Sequence, residues 1–100
     1  MVMLSFKDGL SQEEINRVIE SVVALKEEIP EIKQVTKGVC ANHPTEQELA
    51  RGLTHSFIMQ FESEAERDTY LLHPVHVKVA QEIVIPALRE GGIIVFDMKV

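Results

Sequence analysis

The sequence predicts an α+β fold in which helices cover one side of an antiparallel four-stranded sheet. Three observations lead to that prediction: four apolar segments with strand-like patterns, two helical regions with apolar residues at helical spacing, and their order along 100 residues. The order is β-α-β-β-α-β, which is the ferredoxin-like arrangement. A single domain over residues 1–100 is the expectation for a chain of this length.

The first strand and the first helix are marked by clear signals. Val2–Phe6 is a short apolar segment that predicts a strand. Ser11 and Glu14 have the spacing of a capping box, so a helix begins there, and it is predicted to end just before Pro30. Its apolar residues recur at helical spacing and predict one buried face: Ile15, Val18, Ile19, Val22, Leu25 and Ile29.

Two strands are predicted in the middle of the chain. Ile32–Ala41 is interpreted as the second strand, with a bulge at Gly38, and Thr45–Gly52 as a loop. Leu53–Phe61 alternates cleanly, which is typical of a strand with two different faces. One face carries His55, Phe57, Met59 and Phe61, and the other carries Thr54, Ser56, Ile58 and Gln60.

The second helical region is predicted to break near its middle. Ser63 caps a helix that runs to Leu72, because His73 precedes a proline and is biased away from helical geometry. A further helix begins near Val75, and Pro86 must kink or divide it.

The last strand is predicted after a glycine stop. Gly91 and Gly92 are expected to end the helical region, and Gly92–Val100 is expected to form the closing strand.

Charge and composition exclude several classes of function. The net charge is −6, which argues against nucleic acid and against an anionic membrane surface as partners. No apolar run reaches the roughly 20 residues that span a bilayer. The single cysteine, Cys40, cannot form an internal disulfide. A soluble cytoplasmic protein is the expectation.

The uncovered side of the predicted sheet points to self-association. Thr54, Ser56, Ile58 and Gln60 carry no charge, so their face could pair with a second sheet. We therefore expect a homodimer that packs sheet to sheet or edge to edge, closes a barrel and hides its strand edges.

The candidate chemistry lies around the break in the second helical region. Tyr70 stands near the end of one helix and His76 near the start of the next, and Pro74 bends the chain between them. Imidazole exchanges protons near neutral pH, and a phenol stabilises a developing enolate by hydrogen bonding. Such a pair would suit ring closure, proton transfer or lactone opening.

Other roles for these side chains stay open. Tyr70 and His76 could pack the junction, or bind a ligand without catalysis. A metal site at His55, His73 and His76 is disfavoured, because the proline breaks their alignment and neither a cysteine nor a carboxylate joins them. No metal and no cofactor is expected.

Several segments together resemble a known family, the stress-responsive α/β-barrel domain of the dimeric α+β barrel superfamily. Its features are found in FKDGL, EIPEI, the glycine of TKGV, GLTHSFIMQFES, the closing IIVFD and, most specifically, YLLHPVHVKV. The resemblance covers nearly the whole chain. It implies a homodimeric barrel that holds a small apolar or aromatic ligand between sheet and helices. The alternative it implies is a cofactor-free enzyme, since one plant branch is a polyketide cyclase; isomerase or oxygenase chemistry is equally open.

The resemblance also implies roles for individual residues. The catalytic pair of the plant cyclase falls on Tyr70 and His76, and two further site histidines fall on His55 and His73. The family's usual histidine early in strand one has no counterpart here. The implied apolar lining is Leu4, Val22, Leu25, Val35, Phe57, Ile93 and Val95.

Overall fold

The computed structural model describes all of residues 1–100. The chain forms one four-stranded antiparallel sheet with helices on one side. The strands are β1 (Val2–Phe6), β2 (Gln34–Val39), β3 (His55–Gln60) and β4 (Leu88–Val95), in the spatial order β2-β3-β1-β4. The helices are α1 (Gln12–Val23), α2 (Leu25–Glu28), α3 (Glu64–Leu72), α4 (Pro74–Val79) and α5 (Ile85–Ala87), with a π-helical turn at Ala80–Val84. The predicted α+β, ferredoxin-like fold is confirmed.

Helix α1 starts where its capping signal predicts. The amide of Glu14 donates to Ser11 Oγ at 3.1 Å, and the Glu14 side chain reaches back to the Ser11 amide. The prediction of one helix up to Ile29 was wrong, because the helix divides at Ala24. There the amide of Glu27 bonds to the Ala24 carbonyl, three residues back instead of four, so α2 is a separate, tighter turn.

The alternation of β3 is confirmed. Phe57 is buried against the helices, whereas Ile58 is exposed on the other face. Leu4 of β1 is fully buried on the helical side. The larger of two core clusters on that side is closed and contains seven residues: Leu4, Val18, Ile19, Val22, Phe57, Val84 and Leu88.

Two predictions about glycines were wrong. The β2–β3 register is continuous through Gly38, so β2 has no bulge there. The irregularity lies in β4, opposite Leu4–Phe6. Gly91 and Gly92 do not stop a helix, since the helix already ends at Ala87 and the pair lies inside β4. A side chain at Gly92 would collide with the carbonyl oxygen of Ser5, and this close approach is why a glycine stands there.

The predicted division of the second helical region is confirmed. His73 has extended backbone angles, φ −63° and ψ 130°, and separates α3 from α4. Pro86 lies in α5, directly after the π-helical turn, where its missing N–H removes a helical hydrogen bond. None of these helices has the length and apolar character needed to cross a membrane.

Candidate functional site

Tyr70 and His76 meet at the break between α3 and α4. Their ring centroids lie 4.2 Å apart with the planes tilted by 40°. Tyr70 belongs to the last turn of α3 and His76 is the third residue of α4. The fold therefore brings together the two side chains that the sequence suggested as an acid–base pair.

His73 builds the break that brings them together. Its Nδ1 accepts a hydrogen bond from the amide of Val75 at 3.1 Å, so the imidazole caps the N-terminus of α4. Because Nδ1 is the acceptor, the neutral ring carries its hydrogen on Nε2. In this position His73 orients the helix that carries His76.

The backbone fixes the orientation of His76. Its Nδ1 lies 3.1 Å from the carbonyl oxygen of Leu71. A carbonyl oxygen only accepts, so Nδ1–H is the donor and Nε2 of the neutral ring keeps a free lone pair. His76 therefore presents a proton acceptor on the side away from α3.

Tyr70 is the polar member of an otherwise apolar cluster. It is 8% exposed and packs with Leu25, Ile29 and Ile32. The ring of Phe61 lies 5.1 Å away. Burial raises the pKa of Tyr70 to about 12, and the negative charge of Asp97 adds to this. The phenol therefore keeps its proton at neutral pH and acts as a hydrogen-bond donor.

The hydroxyl of Tyr70 makes no hydrogen bond within the protein. No fully buried side-chain oxygen or nitrogen lacks a partner, so this oxygen must reach solvent. The ring is therefore buried while its hydroxyl stays free to form a hydrogen bond with solvent.

His55 lies apart from this pair. Its Nδ1 is 2.8 Å from Thr54 Oγ1, and its ring meets Phe6 edge to face at 5.1 Å. His55 begins β3, whereas Phe61, the neighbour of Tyr70, follows the other end of that strand. Burial lowers the pKa of His55, which favours its neutral form.

The apolar lining implied by the family resemblance divides into two groups. Leu4, Val22 and Phe57 fill the closed core, and Leu25 and Val35 pack around Tyr70. The remaining two implied residues, Ile93 and Val95, are open to solvent.

A solvent-exposed apolar surface lies along β4 on the helical side. Ile93 pairs with Leu4 and Val95 with Val2, so both side chains share the face that the helices cover. They are nevertheless 37% and 58% exposed, because the helical layer stops short of this edge strand. We call the space above Ile93 and Val95 the β4 groove.

An ion pair lies at the C-terminal end of the β4 groove. Arg67 of α3 donates through Nη1 to Asp97 Oδ2 at 2.7 Å, just beyond the end of β4. Sequence reasoning missed this pair. Strand alternation, which puts Asp97 in phase with Ile93 and Val95, could have pointed to it, as could the spacing of Arg67 one turn before Tyr70.

Two clefts lie elsewhere. One, of about 280 Å³, is in the loop between β2 and β3 and includes Cys40, His43 and Glu46. The other, of about 200 Å³, lies between Leu10 and Ala87. Histidines, cysteines and carboxylates form no group of three able to hold a metal ion.

Comparison with known proteins identifies the family. The model of the stress-responsive A/B barrel domain matches residues 1–100. The chain belongs to this family. The stress-response A/B barrel domain-containing protein HS1 of Arabidopsis thaliana is 34% identical over 80 residues, which are 80% of this chain and 71% of HS1.

Solved structures of other proteins share the fold. The At3g17210 protein of Arabidopsis thaliana is 32% identical with a TM-score of 0.88, covering 99% of this chain and 90% of that one. A hydroxynitrile lyase from Passiflora edulis is 28% identical with a TM-score of 0.83, covering 95% and 84%. A dimeric ferredoxin-like protein of unknown function from Jannaschia sp. CCS1 is 25% identical with a TM-score of 0.76, covering 99% and 94%.

Proposed function

We propose that this A/B barrel protein is a cytoplasmic homodimer of one domain per chain that holds a small apolar or aromatic molecule in the β4 groove. The observation that supports this most directly is the Tyr70 hydroxyl, which has no partner although its ring is buried beside His76. A polar group of the ligand completes that hydrogen bond.

In the proposed site, two polar groups and an apolar surface act on the same ligand. Tyr70 supplies a donor, since its phenol stays protonated, and His76 Nε2 supplies an acceptor. Ile93 and Val95 supply apolar surface. An apolar wall with a few convergent polar groups is typical of small-molecule sites. The best-matching ligand is an aromatic ring that carries a carbonyl or hydroxyl group.

The uncovered face of the sheet supports dimerisation. Ile58, Ile94 and Phe96 are exposed there, at 38%, 43% and 62%. The relative from Jannaschia is described as dimeric, which supports the same assembly here. Native mass spectrometry of protein purified from its own host tests this. A dimer with a reproducible extra mass supports both parts of the proposal, and a monomer contradicts the assembly.

The ligand proposal is tested with two matched probes, acetophenone and ethylbenzene, which differ in the carbonyl group. Calorimetry should show tighter binding of acetophenone by roughly 2- to 10-fold, the worth of one hydrogen bond. Tyr70→Phe should remove that preference and leave ethylbenzene binding unchanged. His43→Ala, in an exposed loop, is the control for general effects. Equal affinity of the intact protein for both probes would contradict the role of Tyr70.

Catalysis by the same pair is the second candidate. A relative of this fold is a hydroxynitrile lyase, and the geometry at His76 and Tyr70 suits such chemistry. His76 Nε2 takes the hydroxyl proton of a hydroxynitrile, the bond to the nitrile carbon breaks, and cyanide leaves with the electron pair. Tyr70 donates to the oxygen as it becomes a carbonyl, and cyanide recovers the proton from His76. Cyclase or isomerase chemistry would use the same two groups.

Cyanide release from an aromatic hydroxynitrile, above the rate in buffer, tests this candidate. His76→Ala should abolish release, whereas His43→Ala should leave it unchanged. Binding of acetophenone without any release would favour the binding function over the lyase.

A further inference from the structure

The ion pair of Arg67 and Asp97 at the end of the β4 groove has no role in the proposed function so far. Asp97 stands close enough to Tyr70 for its charge to act on the phenol, and Arg67 lies one turn before Tyr70 on the same face of α3. Arg67 Nη1 holds Asp97 Oδ2 at 2.7 Å. The carboxylate whose charge acts on the phenol is thus occupied by another partner.

We propose that Arg67 is a positioning residue that keeps Asp97 from accepting the Tyr70 hydroxyl, so that the hydroxyl stays available to a ligand. This rests on the proposed function of the β4 groove. A free carboxylate beside a phenol is its strongest acceptor, because hydrogen bonds to charged groups are about twice as strong as neutral ones. Without Arg67, the phenol would bond inward to Asp97 and the groove would lose its donor.

The other charged groups nearby do not substitute for Arg67. Asp68 binds Arg67 Nε at 3.0 Å and adds negative charge. The Met1 amino group lies 4.0 Å from Asp97 Oδ1, beyond hydrogen-bond distance. His76 of α4 faces the phenol ring and directs Nδ1–H to its own backbone.

A simple tether between α3 and β4 is the competing role for this pair, and it makes a different prediction. If the ion pair only holds the helix in place, removing either partner has the same effect. If Arg67 occupies Asp97, only the removal of Arg67 lets the phenol bond to the carboxylate, and the double variant resembles the loss of Asp97.

The chain offers a direct reporter, since Tyr70 is its only tyrosine and it has no tryptophan. Fluorescence at neutral pH therefore reports on this phenol, and a hydrogen bond from the phenol to a carboxylate quenches the emission. Arg67→Met should dim the emission. Asp97→Ala should not, and Arg67→Met with Asp97→Ala should restore it. Arg67→Lys, which keeps the charge, should be brighter than Arg67→Met.

The affinity for acetophenone measures the effect of the same variants on ligand binding. It should fall roughly 2- to 10-fold in Arg67→Met and recover in the double variant. Lys99→Met is the matched control, because Lys99 Nζ and Glu64 Oε1, 3.4 Å apart, form another ion pair between α3 and the C-terminal segment. Lys99→Met should change neither the fluorescence of Tyr70 nor the affinity for acetophenone.

Each other outcome has a defined meaning. Equal dimming in Arg67→Met and Asp97→Ala, or unchanged emission in Arg67→Met, would overturn the proposal. If Arg67→Met does not fold, Asp97→Ala still decides, since dimming there contradicts the role assigned to Arg67. If the intact protein binds no acetophenone, the ligand proposal fails, while the fluorescence series still tests the Arg67–Asp97–Tyr70 relation.

Discussion

The space between sheet and helices has two regions with different character. Under α1, the closed core around Leu4 and Phe57 is wholly apolar. Around Tyr70, a smaller apolar cluster ends in an open hydroxyl and an imidazole. The first region resembles any protein core. The second keeps polar groups available, which stability alone does not require.

The strongest test of this difference compares two residues paired across β1 and β4. Leu4→Ala should lower the free energy of unfolding by roughly 2–5 kcal/mol, because it leaves a cavity in a closed core. Ile93→Ala should cost about 1 kcal/mol or less, since Ile93 is 37% exposed. Urea unfolding measures both. Similar costs would mean that Leu4 faces an open pocket and that the two regions do not differ.

The family resemblance alone could not predict this division. It implied one lining that included both Leu4 and Ile93. Which of them is covered depends on how far the helical layer extends over β4, and that is set by the register and by the irregularity opposite Leu4–Phe6. Local sequence patterns predict neither the register nor the irregularity.

Local signals predicted what depends on neighbours in the chain. The capping box at Ser11, the faces of β3 and the break at His73 all follow from residues within a few positions. The prediction for Gly92 was wrong because its environment depends on a residue far away in the sequence. Gly92 is explained by the carbonyl of Ser5, a residue distant in sequence, and the partner of Arg67 likewise lies 30 residues away.

The titration of Tyr70 offers a second way to separate the regions. Its pKa rises from 10.0 to about 12 in the folded protein. Folding favours the neutral phenol, so Tyr70 contributes fully to the free energy of unfolding below pH 10. This contribution is lost as pH rises toward 12. The slope should be about 1.4 kcal/mol per pH unit in that window.

Tyr70→Phe is the matched control for this slope. Urea unfolding below and above pH 10 should show a steeper loss of stability for the intact protein than for the variant. Parallel curves would mean that the phenol is as solvated in the folded chain as in the unfolded one.

His73 tests the junction that forms the second region. His73→Ala removes the cap of α4 and should cost about 0.5–2 kcal/mol in thermal unfolding. It should also weaken acetophenone binding, because α4 carries His76. His43→Ala is the control, since His43 also accepts a backbone hydrogen bond, from Thr45, but lies in a loop. Loss of stability without loss of binding would separate the cap from the site.

His55 provides the smallest effect, and it acts at the opposite end of the pH scale. Burial lowers its pKa from 6.5, so folding favours the neutral ring. The contribution of His55 to the free energy of unfolding is present above about pH 6.5 and is lost as the pH falls below that value. His55→Gln should therefore flatten the acid limb of the stability profile and leave the alkaline limb, which depends on Tyr70, unchanged. A change in both limbs would mean that His55 and Tyr70 are coupled across the sheet. The two regions would then have to be treated as one site.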